Sequence, residues 1–351
     1  MDLTISVVVP VYNGGESFRQ CLKSLASLNP PPLETIVVSD GDTDGSWKMA
    51  EEFGVQVIRL PISSGGPARP RNIGALQAKG DYLFFVDADV CVPPDTLCRV
   101  AETFHHNPDL TALIGSYDDT PAAKNFLSQY KNLFHHYVHQ NAQKEASTFW
   151  GACGAIRRKT FLEIGGFDEK YHRPSIEDIE LGYRLKKEGH QIQLCKDISV
   201  KHLKRWGICS MLQADFFYRA IPWTELILRD RRFNNDLNIR HSERLCVVLT
   251  YGLAGALIGA IWWVAFLAVA VLIMVTLTVI NSSFYGFFLK KRGFRFALQC
   301  VPWHWLYYLY SGLAFAIGTA RHVFLRRCKQ ESKKSIPLIQ SLNTPIKPGG
   351  Q

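Results

Sequence analysis

Residues 4 to 11 form a β-branched run, TISVVVPV, that stops just before Asn13-Gly14-Gly15, and a helical stretch follows from about Glu16 to Leu28. The same alternation then repeats. Glu34 to Ser39 reads as a second strand, ending in Asp40-Gly41-Asp42-Thr43-Asp44-Gly45 ahead of another helix. Gly54 to Leu60 is a third strand, Pro70 to Lys79 a helix, and Tyr82 to Val86 a fourth strand that closes on Asp87-Ala88-Asp89. Strands alternating with helices predict a parallel, doubly wound α/β sheet, in which ligands sit beyond the carboxyl ends of the strands. The acidic clusters fall at those ends.

The pattern changes after residue 200. Uncharged residues run unbroken from Leu245 to Leu289, 45 in all. One helix of that length would extend about 68 Å, against a hydrocarbon core of roughly 30 Å. A hairpin turning near Gly259 to Trp263 is therefore expected, with Trp262 and Trp263 as interfacial aromatics. Gly207 to Leu228 interleaves apolar residues with Asp215 and Arg219, as either an amphipathic segment on a bilayer or an ordinary docking helix would. The expected organisation is a soluble domain over 1–206, an interfacial and basic juxtamembrane segment over 207–244, and a transmembrane hairpin over 245–289. A third transmembrane or re-entrant segment over 296–320 and a disordered polar tail over 329–351 complete it.

Charge sharpens this division. The chain carries +9 overall, but residues 1–200 hold 20 Lys/Arg against 25 Asp/Glu and the remainder 20 against 6. The basic clusters, Arg229 to Arg244, Lys290 to Arg292 and Arg321 to Lys334, border the apolar runs, as juxtamembrane clusters do. A nucleic-acid binder would spread them over the folded domain, so no nucleic-acid partner is expected. Three spans would set the last cluster outside, against the positive-inside tendency, which keeps the re-entrant alternative open. Nine scattered cysteines without a C-x-x-C pair argue against a disulfide framework and a zinc ribbon, and the N-terminal run lacks a basic leader. A multi-pass membrane protein with its soluble domain on the cytoplasmic face of a plasma or bacterial inner membrane is the expectation.

Asp87-Ala88-Asp89 is the first candidate for chemistry, because a hard divalent cation bound to a diphosphate takes one or two carboxylate oxygens from protein. A D-x-D triplet alone is also an ordinary strand-end turn. Its company is more specific. VVVPVYNGGESFRQCLKSL, ETIVVSDGDTDGS, GGPARPRNIGALQAKGDYLFFVDAD, FWGACGAIRRKTFLEIGGFDE and IEDIELGYRLKKEGH, in this order over residues 4 to about 206, resemble the family 2 glycosyltransferases of the GT-A fold. The resemblance implies a Rossmann-like, mostly parallel sheet with flanking helices, followed here by a C-terminal α-helical membrane region.

It also implies roles, position by position. Pro10, Tyr12 and Asp40 would surround the nucleotide base, Arg71-Asn72 would reach base or phosphate, Asp87 the ribose, and the tight loop at Gly151 the donor sugar. Asp89, with His202 downstream, would hold Mg2+ or Mn2+; imidazole beside carboxylate suits Mn2+. Asp178 would be the general base of an inverting transfer, with Glu177 beside it to orient it or touch the acceptor. The family's usual D-D-G-S is Ser39-Asp40-Gly41-Asp42 here, which leaves the base open between uracil and another ring. The implied activity is transfer from a nucleotide-sugar, UDP-linked by resemblance, to a lipid or lipid-linked acceptor at the membrane. Two other readings share the pattern. His202 to Trp206 is similar to the Q-x-x-R-W of processive synthases, with His for Gln, and a catalytically silent nucleotide-sugar-binding scaffold would keep the fold. His135 and His139 lack the Glu of H-E-x-x-H, and neither a P-loop nor G-x-G-x-x-G is present.

Overall fold

The computed structural model describes residues 3–231 and 240–340, with side chains to residue 324. From the N-terminus it runs β1 (Ile5–Val11), α1 (Gly15–Ala26), β2 (Glu34–Asp40), α2 (Ser46–Glu52), β3 (Gln56–Leu60), α3 (Ala68–Gln77) and β4 (Tyr82–Val86). Then come β5 (Val90–Cys91), α4 (Thr96–His106), β6 (Ala112–Tyr117), α5 (Phe126–Gln140), β7 (Cys153–Arg157), α6 (Arg158–Glu163), α7 (Glu177–Lys187) and β8 (Ile192–His202). The helical remainder is α8 (Ile208–Gln213), a π-helical turn (Ala214–Ala220), α9 (Ile221–Asp230), α10 (His241–Gly259), α11 (Ala265–Ile280), α12 (Ser282–Arg292) and α13 (Phe294–Gln340).

The sheet order is β3-β2-β1-β4-β7-β6-β8-β5. All seven residues of β1 are buried, as expected of a central parallel strand covered on both faces. Successive side chains point to opposite faces: Val7, Val9 and Val11 pack with Phe18, Leu22 and Leu25 of α1, while Val8 packs with Ile36, Val38 and Phe85 toward α3. Helix α1 buries Phe18, Cys21, Leu22 and Leu25, one stripe at helical spacing.

A mostly parallel sheet was the expectation: the pairs from β3 to β4 are parallel, and so is the β6–β8 pair. Strand β7 lies antiparallel to both β4 and β6, and β5 antiparallel to β8. The reversal has a consequence for the site. With Val86 opposite Cys153, the start of β7 meets the end of β4, so Gly151-Ala152 arrive beside Asp87. Likewise Val90 pairs with His202 and the Leu203 N–H donates to the Asp89 carbonyl at 2.8 Å, which sets Asp89 against the end of β8.

In the helical half α10 and α11 are separated by residues 260–264, where the hairpin turn was expected. Ile261, Trp262, Trp263 and Val264 at this tip are 70–78% exposed. Helix α10 is long and apolar enough to cross a bilayer, and α11 with α12, bent by 66° at their junction, passes when taken as one broken span. The third expected segment, transmembrane or re-entrant over 296–320, lies inside the 47-residue α13, which is not among the described helices long and apolar enough to cross a bilayer. It carries polar groups such as His304 and Tyr308, both 1% exposed, which face the bundle. Helices α12 and α13 pack on α5 through Phe134, Phe284, Phe288 and Cys300. The segment expected at an interface, 207–228, is α8, the π-helical turn and most of α9, and it buries Met211, Asp215, Ile221 and Trp223. Of the tail expected to lack structure, 329–340 continue α13 and 341–351 lie outside the described residues.

Candidate functional site

The strand ends open on a cleft of about 940 Å3. Pro10 and Tyr12 enter it from the end of β1, Asp40 from β2, Arg71 from α3, and Asp87 and Asp89 from the end of β4. Glu177 and Asp178, in the first turn of α7, and His202, at the end of β8, line the same space. Asn72 and Gly151 do not line it.

Arg71 organises the floor. It is 3% exposed, and its two terminal nitrogens donate to Asp87 Oδ1 at 2.6 Å and Glu177 Oε1 at 2.9 Å. It thereby joins two protein carboxylates 90 residues apart in the chain. A planar guanidinium fork can bridge two acids in this way. Gly151 lies on top of it: a Cβ there would stand 2.7 Å from Arg71 Cζ, so only glycine lets the backbone pass. Gly151 thus acts through Arg71 and through its N–H, which donates to Asp178 Oδ2 at 3.1 Å. Asn72 is engaged within the protein too. Its amide donates to the Phe167 carbonyl and to Glu169 Oε1, both at 2.9 Å, and accepts the Phe167 N–H at 2.8 Å, which ties α3 to the loop after α6.

Asp178 is half-buried at the start of α7, and Oδ1 accepts the Ile179 N–H at 2.8 Å. Burial, followed by the neighbouring Glu177 charge, pushes its pKa up to about 7, against the pull of Arg71. Glu177 itself is held on both oxygens, by Arg71 and by the Ser175 N–H at 3.0 Å. A fixed carboxylate beside a second one poised near neutrality is an arrangement suited to general-base work.

Across the cleft Asp89 Oδ2 stands 3.5 Å from His202 Nε2. Burial acts to raise the Asp89 pKa, but His202 and Lys204 outweigh it and hold the carboxyl below its usual range. The His202 ring is stacked on Tyr117 at 4.4 Å between centroids, which fixes its plane. Among the described residues no group of three or more His, Cys, Asp or Glu is placed to hold a metal. The O,N pair Asp89 and His202 fits a cation that takes its remaining ligands from diphosphate and water.

Asp40 is engaged by its own neighbourhood: Ser63 Oγ donates to it at 3.0 Å and the Ser64 N–H at 2.9 Å. The loop so held packs on the next wall of the cleft, with Gly66 close against the backbone of Tyr171 to Arg173. Several lining residues were not singled out from the sequence: Tyr117, Trp150, Arg173, Lys204, Tyr218 and Arg219. The last two sit in the π-helical turn, a feature with no sequence signature, and Trp150 precedes a loop whose partner strand is β4.

Residues 6–165 match the model described as glycosyl transferase family 2, and residues 131–206 match one described as the N-terminal domain of galactosyltransferase. A poly(ribitol-phosphate) beta-glucosyltransferase of Bacillus spizizenii is 38% identical over 104 residues, which is 28% of this chain and 16% of that protein. The chain thus spans about a sixth of that relative's length. S. aureus TarS 1–349, solved with UDP-GlcNAc, superposes with a TM-score of 0.51 at 22% identity over 65% of this chain and 66% of its own. The mannosyltransferase PcManGT from Pyrobaculum calidifontis, solved with GDP-Man and Mn2+, gives 0.56 at 14% identity, covering 90% of this chain and 88% of its own. The second likeness is wide enough to take in the C-terminal helices, and both concern the fold. Over residues 6–165, which supply the strand-end acids of this cleft, the chain is similar to the glycosyl transferases of family 2, and the α7 carboxylates line the same space.

Proposed function

We propose that the protein is a membrane-anchored inverting glycosyltransferase that moves a sugar from a nucleotide-sugar, UDP-linked by preference, to a lipid or lipid-linked acceptor. The observation that carries this reading is that Asp89, His202 and Asp178 line one cleft, the first two as a cation pair and the third as a carboxylate with a pKa near 7. The acceptor oxygen attacks the anomeric carbon, the bond from that carbon to the diphosphate oxygen breaks with its electron pair, and Asp178 takes the hydroxyl proton. Asp89 and His202 would hold a divalent cation, Mn2+ or Mg2+, which would offset the departing diphosphate's charge. Arg71 holds Asp87 and Glu177 in register, and the Gly151 N–H holds Asp178.

Membrane anchoring is supported by α10, by the bent pair α11 and α12, and by the exposed Ile261-Trp262-Trp263-Val264 tip. Clusters of Lys and Arg at the ends of these helices favour a cytoplasmic catalytic domain. The test is Asp178→Asn, assayed with radiolabelled UDP-sugars on purified membranes with and without EDTA. Transfer is expected to fall at least a thousandfold while nucleotide-sugar binding persists, and EDTA to abolish transfer by the parent enzyme. Full activity in Asp178→Asn removes that residue from the mechanism.

A further inference from the structure

The donor cleft does not end at Asp178. A second chamber of about 130 Å3 lies between α5, α7, the π-helical turn and α13, and Trp150, Ser175, Asp178 and Arg219 line both spaces. Whatever occupies it lies against the carboxylate assigned above as the base.

Its charges balance. Lys131 and Arg219 are the cations and Asp215 and Asp178 the anions on its wall. Asp215 already stands beside both cations, Lys131 at 2.6 Å and Arg219 at 3.9 Å. The imidazoles of His135 and His139 add no positive charge near neutral pH, because burial holds both below their usual range, His139 at about 4. Further cations lie elsewhere: Arg173, Lys204 and Arg205 line the donor cleft, where a diphosphate belongs. What the chamber does offer is ring faces from Trp150, Trp223 and Tyr307, and hydroxyls from Thr148, Ser175 and Ser311. It also offers the buried Nδ1 of His135, which has no hydrogen-bond partner. Apolar faces with a few convergent neutral polar atoms suit a polyol ring, which has C–H faces and hydroxyl edges, and leave a phosphate uncompensated.

We propose that this chamber is the acceptor subsite and that it takes a neutral sugar ring, so that the enzyme extends a glycan or glycolipid and does not glycosylate a bare lipid phosphate. The inference rests on Asp178 being the base. Because Tyr307 and Ser311 belong to α13, the helical half of the molecule takes part in choosing the acceptor.

The test uses the full chain in a detergent without sugar, with radiolabelled UDP-glucose and UDP-GlcNAc as donors and either octyl glycosides or dodecyl phosphate as acceptors. Donor binding is measured first, by calorimetry; a parent protein that binds neither donor with Mn2+ present strikes the proposed function itself. Given binding, label is expected on an octyl glycoside, in a linkage that resists mild acid. Ser311→Phe, which fills the chamber from α13, is expected to lower that transfer more than tenfold with donor affinity kept within twofold. His135→Ala is expected to raise the KM for the glycoside about tenfold with little change in kcat, and His135→Gln to restore it. Label on dodecyl phosphate in an acid-labile linkage with none on a glycoside overturns the proposal. So does transfer to the glycoside that is unchanged in both Ser311→Phe and His135→Ala.

Discussion

Arg71 and Lys131 each place a cation out of solvent beside the cleft, and each neutralises acids that would otherwise be stranded there. They do so with different geometry. Arg71 bridges Asp87 at the end of β4 and Glu177 at the start of α7, two elements on the reacting side of the cleft. Lys131, on α5, meets both oxygens of Asp215 in the π-helical turn, and Tyr310 of α13 donates to the same carboxylate at 2.8 Å. The fork of the guanidinium fixes two carboxylates at a set separation; the ammonium is a point charge that ties helices together. One cation therefore holds the acids of the cleft, and the other joins the α/β domain to its helical half.

Removing the cations separates the two cases. Arg71→Met leaves Asp87 and Glu177 facing each other with Asp178 nearby, and breaking a buried pair in this way costs about 3–5 kcal/mol. The variant should lose most of its thermal stability in detergent and all measurable transfer. Arg71→Lys keeps the charge but not the fork, so it should regain part of the stability while transfer stays more than tenfold low. Recovery of both together would mean that the bridge between the two acids is unimportant.

Lys131→Met strands Asp215 and should cost about 3 kcal/mol, somewhat less because Tyr310 and Arg219 remain beside the carboxylate. Here the comparison sharpens. Replacing both partners, Lys131→Met with Asp215→Leu, should return most of the lost stability, because a buried pair exchanged for apolar groups is often neutral. The equivalent exchange around Arg71, with Asp87→Asn and Glu177→Gln, should return stability without activity. Thermal unfolding of the four proteins checks this, and a double variant at Lys131 as unstable as the single one would show that the pair does more than join elements.

The two regions were also unequally legible in the sequence. Strands β1, β2, β3 and β4 lie within two residues of where β-branched runs and turn residues placed them, because a buried parallel strand writes its apolar run locally. The break between α10 and α11 at 260–264 was readable for a similar reason, since length alone forbids one upright span. The mixed half of the sheet was not. β5 has two residues, and the antiparallel course of β7 depends on how the chain returns from α5, which no periodicity records. Asp89, His202, Asp178 and Glu177 were singled out by motif, yet the engagement of Arg71 by Asp87 and Glu177 spans up to 106 residues of chain and leaves no mark in spacing. The Lys131–Asp215 pair, 84 apart, was missed for the same reason.

The smallest effect is the one that tests the positioning role most directly. Asp178 must be ionised to accept a proton, so with a pKa of about 7 the activity should rise tenfold per pH unit below 7 and level off above it. An ordinary carboxylate would give a limb near 4. Burial is the first cause of the elevation and the charge of Glu177 the second. Glu177→Gln removes the second cause and leaves Arg71 freer to stabilise ionised Asp178, and both changes act downward. The acidic limb of kcat/KM should therefore move down by about one pH unit and stay well above 4, since desolvation remains. A limb that does not move in Glu177→Gln belongs to a group other than Asp178. A limb that falls to 4 would mean that the neighbouring charge, and not the buried setting of α7, sets the base.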